Sequence, residues 1–171
     1  MKFSLRTSLS ALAFASVILV AGCTSRVVVP PLTSSPTDVE LPGKFVWFDL
    51  LTDDVDAARN FYGNLLGWTF DDGGDSDPIY TTVLQNGQPI GGIVASDRLK
   101  QDVDQSRWLS YLSVPDVDVA VAKALVAGGT SYAAGTNFPD RGRVAVVKDP
   151  QGALLAFVRS ETGDPLDTDP T

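Results

Sequence analysis

The feature that most constrains how this chain can fold is a unit written twice. "DVDAA" at residues 54–58 returns as "DVDVA" at 116–120, and each copy follows an apolar, alternating run, Phe45–Leu51 and Trp108–Val114. Each copy also opens a stretch with apolar residues three and four apart. These are Val55, Ala58, Phe61, Tyr62 and Leu65 in the first, and Val117, Ala120, Val121, Ala124 and Leu125 in the second. That period lays one face of a helix against a core. Thr52 or Asp53 is expected to cap the first helix and Gly67 follows its end, while Gly128-Gly129 ends the second. Strand sequence follows each helix. Tyr80–Leu84 and Ile90–Ala95 are joined by Asn86-Gly87, a dipeptide that tolerates the positive φ angles of a two-residue hairpin. Thr130–Ala133, Arg143–Val147 and Ala153–Val158 follow the second helix, the last two joined by Asp149-Pro150-Gln151-Gly152, a turn with Pro at its second position. A short strand near Trp68–Phe70 completes the first copy. The plan is strand, helix and three strands, twice. A repeat of roughly 60 residues is too long for a solenoid unit, and two copies are too few for one. The two βαβββ modules, 44–97 and 107–160, are therefore expected to pair into one pseudo-symmetric α+β domain.

The run "DVDAARNFYGNLLGW" with its hairpin, then "DVDVAVAKALVAGG" and "GRVAVVKDPQGALLAFV", resembles the vicinal oxygen chelate superfamily. That superfamily includes glyoxalase I, bleomycin-resistance proteins and extradiol dioxygenases. The resemblance covers residues 45–159. The FYxxLLGW and DPxGA pieces, with W-x-D-L in the first strand, are most similar to a glyoxalase-like branch. That branch often carries two such domains, whereas this chain has room for one. The resemblance implies that each module curls into a half-barrel and that the curled sheets enclose a central cavity.

Enzymes of that superfamily bind a divalent metal through side chains that project into the cavity, typically His and Glu. Matching the motifs places the four ligand positions at Trp47, Gly91, Leu109 and Ala156, none of which has a side chain that can ligate. Independently, the chain contains no histidine and its one cysteine is Cys23. This removes the commonest zinc ligand, the commonest general base and every Ser-His or Cys-His dyad. The reading therefore expects no metal and no cofactor, and leans against an enzyme. "DDGGDSD" at 71–77 lacks the spacing and terminal Glu of a calcium-binding EF-hand and reads as an acidic loop.

Strand alternation sends Phe45, Trp47 and Asp49 toward the cavity and Val46, Phe48 and Leu50 toward the helices. Trp47 then either fills the cavity as core or lines a pocket. A buried indole N–H wants a partner, and Asp49 can accept that bond or face a cationic ligand. Tyr111 and Ser113 share a strand face with Leu109 and join the candidates. Arg141 and Arg143 flank Gly142 and read as a solvated edge, with Arg143 kept as a candidate for a ligand anion. The candidate ligand-binding set is Trp47, Asp49, Tyr111, Ser113 and Arg143.

The N-terminus reads as an address. Lys2 and Arg6 precede a nearly continuous apolar run, Leu9–Gly22, that is short for a membrane span of about 20 residues. Its end, Val20-Ala21-Gly22-Cys23, resembles a bacterial lipobox, which implies cleavage before Cys23 and a lipidated thiol. The expected organisation is a signal peptide at 1–22, a lipidated Cys23 with a Pro-, Ser- and Thr-rich flexible tether to 43, the folded domain at 44–160, and a disordered tail at 161–171. Thr24, in place of Asp after the Cys, implies outer-membrane sorting, with the domain facing the periplasm. Net charge is −8, and −10 without Lys2 and Arg6 (11 basic against 21 acidic residues). That balance argues against nucleic acid as a partner. The expectation is a lipid-anchored, metal-free domain that binds or sequesters a small molecule, with a homodimer left open by the family's habit of exchanging modules. The alternatives are a lyase, isomerase or dioxygenase with an atypical site, and an envelope scaffold.

Overall fold

The repeated motif begins both helices in the same way. Asp54 accepts a hydrogen bond from the Ala57 N–H at 2.8 Å to cap α1 (Val55–Leu66), and Asp116 accepts from the Val119 N–H at 3.0 Å to cap α2 (Val117–Val126). The second Asp of each motif, Asp56 or Asp118, lies in the first turn, where a carboxylate suits the positive end of the helix dipole. The cap of α1 is thus Asp54 rather than Thr52 or Asp53. The Thr52 hydroxyl instead accepts from the Asp54 N–H at 3.3 Å. Gly67 ends α1 in the left-handed conformation that a residue with a Cβ adopts at a cost.

The structure, a computed structural model, describes residues 29–74, 78–99 and 106–167. The expected signal peptide and Cys23 lie outside the described residues, as does the end of the expected tail. Eight strands form one sheet: β1 (Phe45–Thr52), β2 (Thr69–Asp71), β3 (Tyr80–Gln85), β4 (Gln88–Ala95), β5 (Arg107–Ser113), β6 (Thr130–Phe138), β7 (Gly142–Lys148) and β8 (Leu154–Ser160). Their order is β2-β3-β4-β1-β5-β8-β7-β6. Within each module the first strand pairs in parallel with the last, β1 with β4 and β5 with β8, and the modules join through antiparallel β1 and β5. Read from either edge, the order within a module is the same. The α+β class and the curled sheet follow the expectation. Asn86 and Gly87, at φ 50° and 75°, make the tight β3–β4 hairpin.

Both helices cover one face of the sheet. Leu50, Val83 and Ile93 pack beneath Val55, Ala58 and Tyr62 of α1. Val117, Ala145, Val147 and Phe157 form the equivalent layer with Ala120, Val121 and Ala124 of α2. The opposite, inner face carries the largest cluster, including Trp47, Leu51, Tyr80, Leu109, Tyr111, Val146, Ala156 and Val158. A register shift between Phe45 and Trp47 breaks the alternation expected in β1. Val46 therefore joins the inner cluster, and Phe45 stands in solvent. Phe48 does point to the helix side, but α1 leaves it uncovered. It lines a surface groove of about 300 Å³ with Trp68, Val83, Ile90, Gly91 and Trp108.

The segment expected to be a free tether packs onto the domain from residue 29. Leu32 is 1% exposed within the inner cluster, and Val29 packs against the same cluster. The segment at 161–167 is bound to it. The Thr37 N–H donates to the Thr162 carbonyl at 2.9 Å, and the buried Asp164 carboxylate accepts from the Leu41 N–H at 2.7 Å and the Ser113 hydroxyl at 2.6 Å.

Candidate inner-face site

The centre of the inner face is where β1 and β5 meet, with Trp47 opposite Tyr111 and Asp49 opposite Leu109. Asp49, 2% exposed, is the hub. One carboxylate oxygen accepts from the Trp47 Nε1–H at 2.9 Å and from the Tyr80 hydroxyl at 2.8 Å, and the other accepts from the Tyr111 hydroxyl at 2.6 Å. Three donors converging on one buried anion meet the requirement that a buried charge be hydrogen-bonded. The positive partner is Arg141, 1% exposed, whose Nη2 donates to the Tyr80 oxygen at 3.1 Å and whose Nε donates to the Pro30 carbonyl at 2.5 Å. Its guanidinium carbon lies 4.7 Å from the centre of the Trp47 ring, 5.8 Å from that of Tyr80 and 6.0 Å from that of Tyr111.

The titration tendencies follow from this arrangement. Burial, and then the neighbouring Asp49 charge, push both the Tyr80 and Tyr111 hydroxyls above the ordinary tyrosine range, so they stay protonated as donors. Burial alone would lower the Arg141 pKa, but Tyr80, Asp49 and Tyr111 together outweigh it and raise it.

Of the residues proposed from sequence, Trp47, Asp49 and Tyr111 come together. Ser113 does not join them: its hydroxyl is committed to Asp164 in the segment at 161–167. Arg143 is also elsewhere, on the outside at the start of α2, where its guanidinium pairs with Asp118 at 2.7 Å beside a cleft of about 500 Å³. The arginine that enters the site is Arg141, read from sequence as solvated. The other missed residue is Tyr80, whose alternation along β3 places it inward with Leu51 and Val94. The signal that points to both is physical: an inward acid at Asp49 needs buried donors and a compensating cation.

The site does not fit a divalent metal. Trp47, Leu109 and Ala156 are inward as expected. The inward position on β4 is Gly92, the partner of Asp49, rather than Gly91, which faces the outer groove. A Cβ at Gly92 would overlap the Tyr80 hydroxyl and come within 2.5 Å of the Asp49 carboxylate. Asp49 already receives three donors and stands beside a guanidinium, which opposes a second cation. Among the described residues, no group of three or more His, Cys, Asp or Glu is placed to hold a metal ion.

The family profile of the glyoxalase-like domain matches residues 45–158. The chain is 33% identical over 115 residues to a Mycobacterium tuberculosis protein named "Putative glyoxylase CFP32", a match covering 65% of this chain and 43% of that protein. It is 31% identical over 135 residues to the anthracycline biosynthesis protein DnrV of Streptomyces peucetius, covering 69% and 47%. The chain thus spans about half the length of the curated relatives it matches. Among solved structures, the Mn(II)-bound glyoxalase from Novosphingobium aromaticivorans superposes with a TM-score of 0.53 at 17% identity, covering 78% of this chain and 44% of that one. A variant of homoprotocatechuate 2,3-dioxygenase from B. fuscum gives 0.50 at 18% identity, covering 74% and 35%. With the profile spanning both modules and the sheet built as the motifs imply, the chain belongs to the glyoxalase-like domain family of the vicinal oxygen chelate superfamily.

Proposed function

We propose that this chain is a lipid-anchored, metal-free glyoxalase-like domain that binds or sequesters a small molecule at its inner face. The observation that carries the reading is the Asp49 cluster. At the centre of a fold whose relatives include a metal-bound glyoxalase, the acid is surrounded by the organic donors Trp47, Tyr80 and Tyr111 and the cation Arg141. Such a site is built of aromatic faces and directed hydrogen bonds and needs no ion. The names of the relatives, a glyoxylase and an anthracycline biosynthesis protein, attach similar domains to small-molecule chemistry. The test is non-denaturing mass spectrometry of untagged protein from its native host. The expected result is a small molecule retained by the wild type and lost from Trp47→Ala. Retention by neither protein, or by both equally, would remove the inner face from consideration.

The anchoring part rests on Val20-Ala21-Gly22-Cys23, and the net charge of −8 argues against adsorption to anionic lipid through the folded surface instead. Cys23→Ser is expected to release the protein from the membrane fraction or stall its processing. Unchanged fractionation and processing would contradict lipidation. A second reading, an envelope interaction protein, draws on the outer groove, where Phe48, Ile90 and Trp108 stand 42%, 37% and 40% exposed. It gains ground if no small molecule is retained.

A further inference from the structure

We infer that the inner-face site takes a flat cationic group of the guanidinium or amidinium class, and that Arg141, with the stretch at residues 29–32 that holds it, occupies this place in the ligand-free chain. The inference rests on the small-molecule reading above and supplies its ligand class. Three rings, Trp47, Tyr80 and Tyr111, surround one planar cation at centroid distances of 4.7, 5.8 and 6.0 Å, with a carboxylate one hydrogen bond further on. This is how a receptor for a flat cation is built, and here the occupant belongs to the chain itself.

The occupant is delivered by connecting segments rather than by the sheet. Arg141 lies in the turn between β6 and β7, between Asp140 at φ 63° and Gly142 at φ 97°. Its own N–H bonds back only two residues, to the Pro139 carbonyl at 2.7 Å. A non-glycine residue at positive φ next to a buried charge marks a conformation that the surroundings must hold in place. The surroundings here include the Pro30 carbonyl on the Arg141 Nε, with Leu32 and Val29 packed over the cluster. Residues 29–36 belong to no strand of the sheet; they are held to it by Leu32 in the inner cluster and by contacts such as the Ser34 hydroxyl to Gln88 at 2.8 Å.

Charge selects the ligand. Withdrawing Arg141 leaves the Asp49 carboxylate, 2% exposed, with three neutral donors and without the guanidinium beside it. A neutral or anionic guest would leave that charge uncompensated, whereas exchanging one guanidinium for another conserves charge, planarity and ring contact. A compact ammonium supplies the charge without the flat face. Tyr80 and Tyr111, held protonated by burial and by Asp49, keep donating throughout the exchange.

The test uses the full chain carrying Arg141→Ala, with N-ethylguanidinium as the probe and ethylammonium and ethylurea as comparators at matched ionic strength. Expected are a saturable change in tryptophan fluorescence and a rise in Tm of about 5 °C at ten times Kd. Affinity should exceed that for ethylammonium by about tenfold, and ethylurea should have no effect. Leu32→Ser keeps Arg141 but loosens its cover. It should bind the probe more weakly than Arg141→Ala and more tightly than the wild type, and it carries the test alone if Arg141→Ala does not fold. Absence of a saturable response in the variants, or an equal response to ethylurea, overturns the inference. If the wild type still retains a native small molecule that depends on Trp47, the binding reading stands and only the ligand class and the role of Arg141 fall. If that retention is absent too, both fall.

Discussion

Replacing Asp49 by Asn changes one atom of the hub and tests whether its charge organises the inner face. The carboxylate accepts from Trp47, Tyr80 and Tyr111 at 2.9, 2.8 and 2.6 Å. Bonds to a charged acceptor contribute about 1.5–3 kcal/mol each, which sets an upper bound of about 5–9 kcal/mol for the three. The amide keeps one carbonyl oxygen, which still accepts from Trp47 and Tyr80 as neutral bonds of about 1 kcal/mol each. Its NH₂ meets the Tyr111 hydroxyl, and Arg141 loses its anion. The net cost should be about 3–5 kcal/mol, the range for breaking a buried charged pair from one side. A domain holds only about 5–15 kcal/mol in total. Urea unfolding at pH 7 should therefore show a much lower midpoint at an unchanged m-value. The double variant Asp49→Asn, Arg141→Met should be less destabilised than the sum of its singles by about 1.5–3 kcal/mol, since the two residues share one network. A loss below about 1 kcal/mol for Asp49→Asn, or strict additivity in the double variant, would refute the coupling of these residues.

High pH offers a second check. The Tyr80 and Tyr111 pKa values are raised in the folded state, by burial first and then by Asp49, above the unfolded value of about 10. The folded protein keeps protons that the unfolded chain releases, so this contribution is intact below about pH 10 and is lost as pH climbs above it, by up to about 1.4 kcal/mol per pH unit for each tyrosine. Tyr80→Phe and Tyr111→Phe should each make the fall in urea midpoint above pH 10 shallower. A slope equal to that of the wild type would place the hydroxyls away from the carboxylate. Leu32→Ala should cost about 2–5 kcal/mol as a buried truncation. A change within about 0.5 kcal/mol, as expected of a surface site, would mean the segment at 29–36 is the free tether that its composition implies.

The repeat was legible because its signals are local. The helix period and the Asn86-Gly87 hairpin each depend on a few adjacent residues, and both appear in place, although the α1 cap falls on Asp54 rather than on the expected Thr52 or Asp53. Parity along β1 was legible only in part. It placed Trp47, Asp49 and Leu50 correctly, but the register shift near Val46 depends on pairing with β5, which no local pattern in β1 encodes. The same kind of ambiguity separates Gly91 from Gly92, since one residue in a strand exchanges the two faces. Arg141 and Arg143 are two apart and would share a face by alternation, but Arg141 lies in the turn before β7, where alternation does not apply. Leu32 was hidden by its neighbours. In a stretch rich in Pro, Ser and Thr, one Leu carries no periodicity, and only the inner face it meets makes it core. Asp164 was hidden for the same reason, its partners Leu41 and Ser113 being far away in sequence.

The claim that the inner face has replaced metal ligation with a self-compensated organic cluster is tested most directly by adding metal. Untagged protein, with its metal content measured by elemental analysis, should be melted with and without Mn²⁺, Zn²⁺, Ni²⁺ and Fe²⁺. An ion that binds only the native state must raise Tm. The account predicts no stoichiometric metal as purified and no rise with any of the four ions. One tightly held divalent ion per chain, with a saturable rise in Tm that Asp49→Asn abolishes, would contradict it.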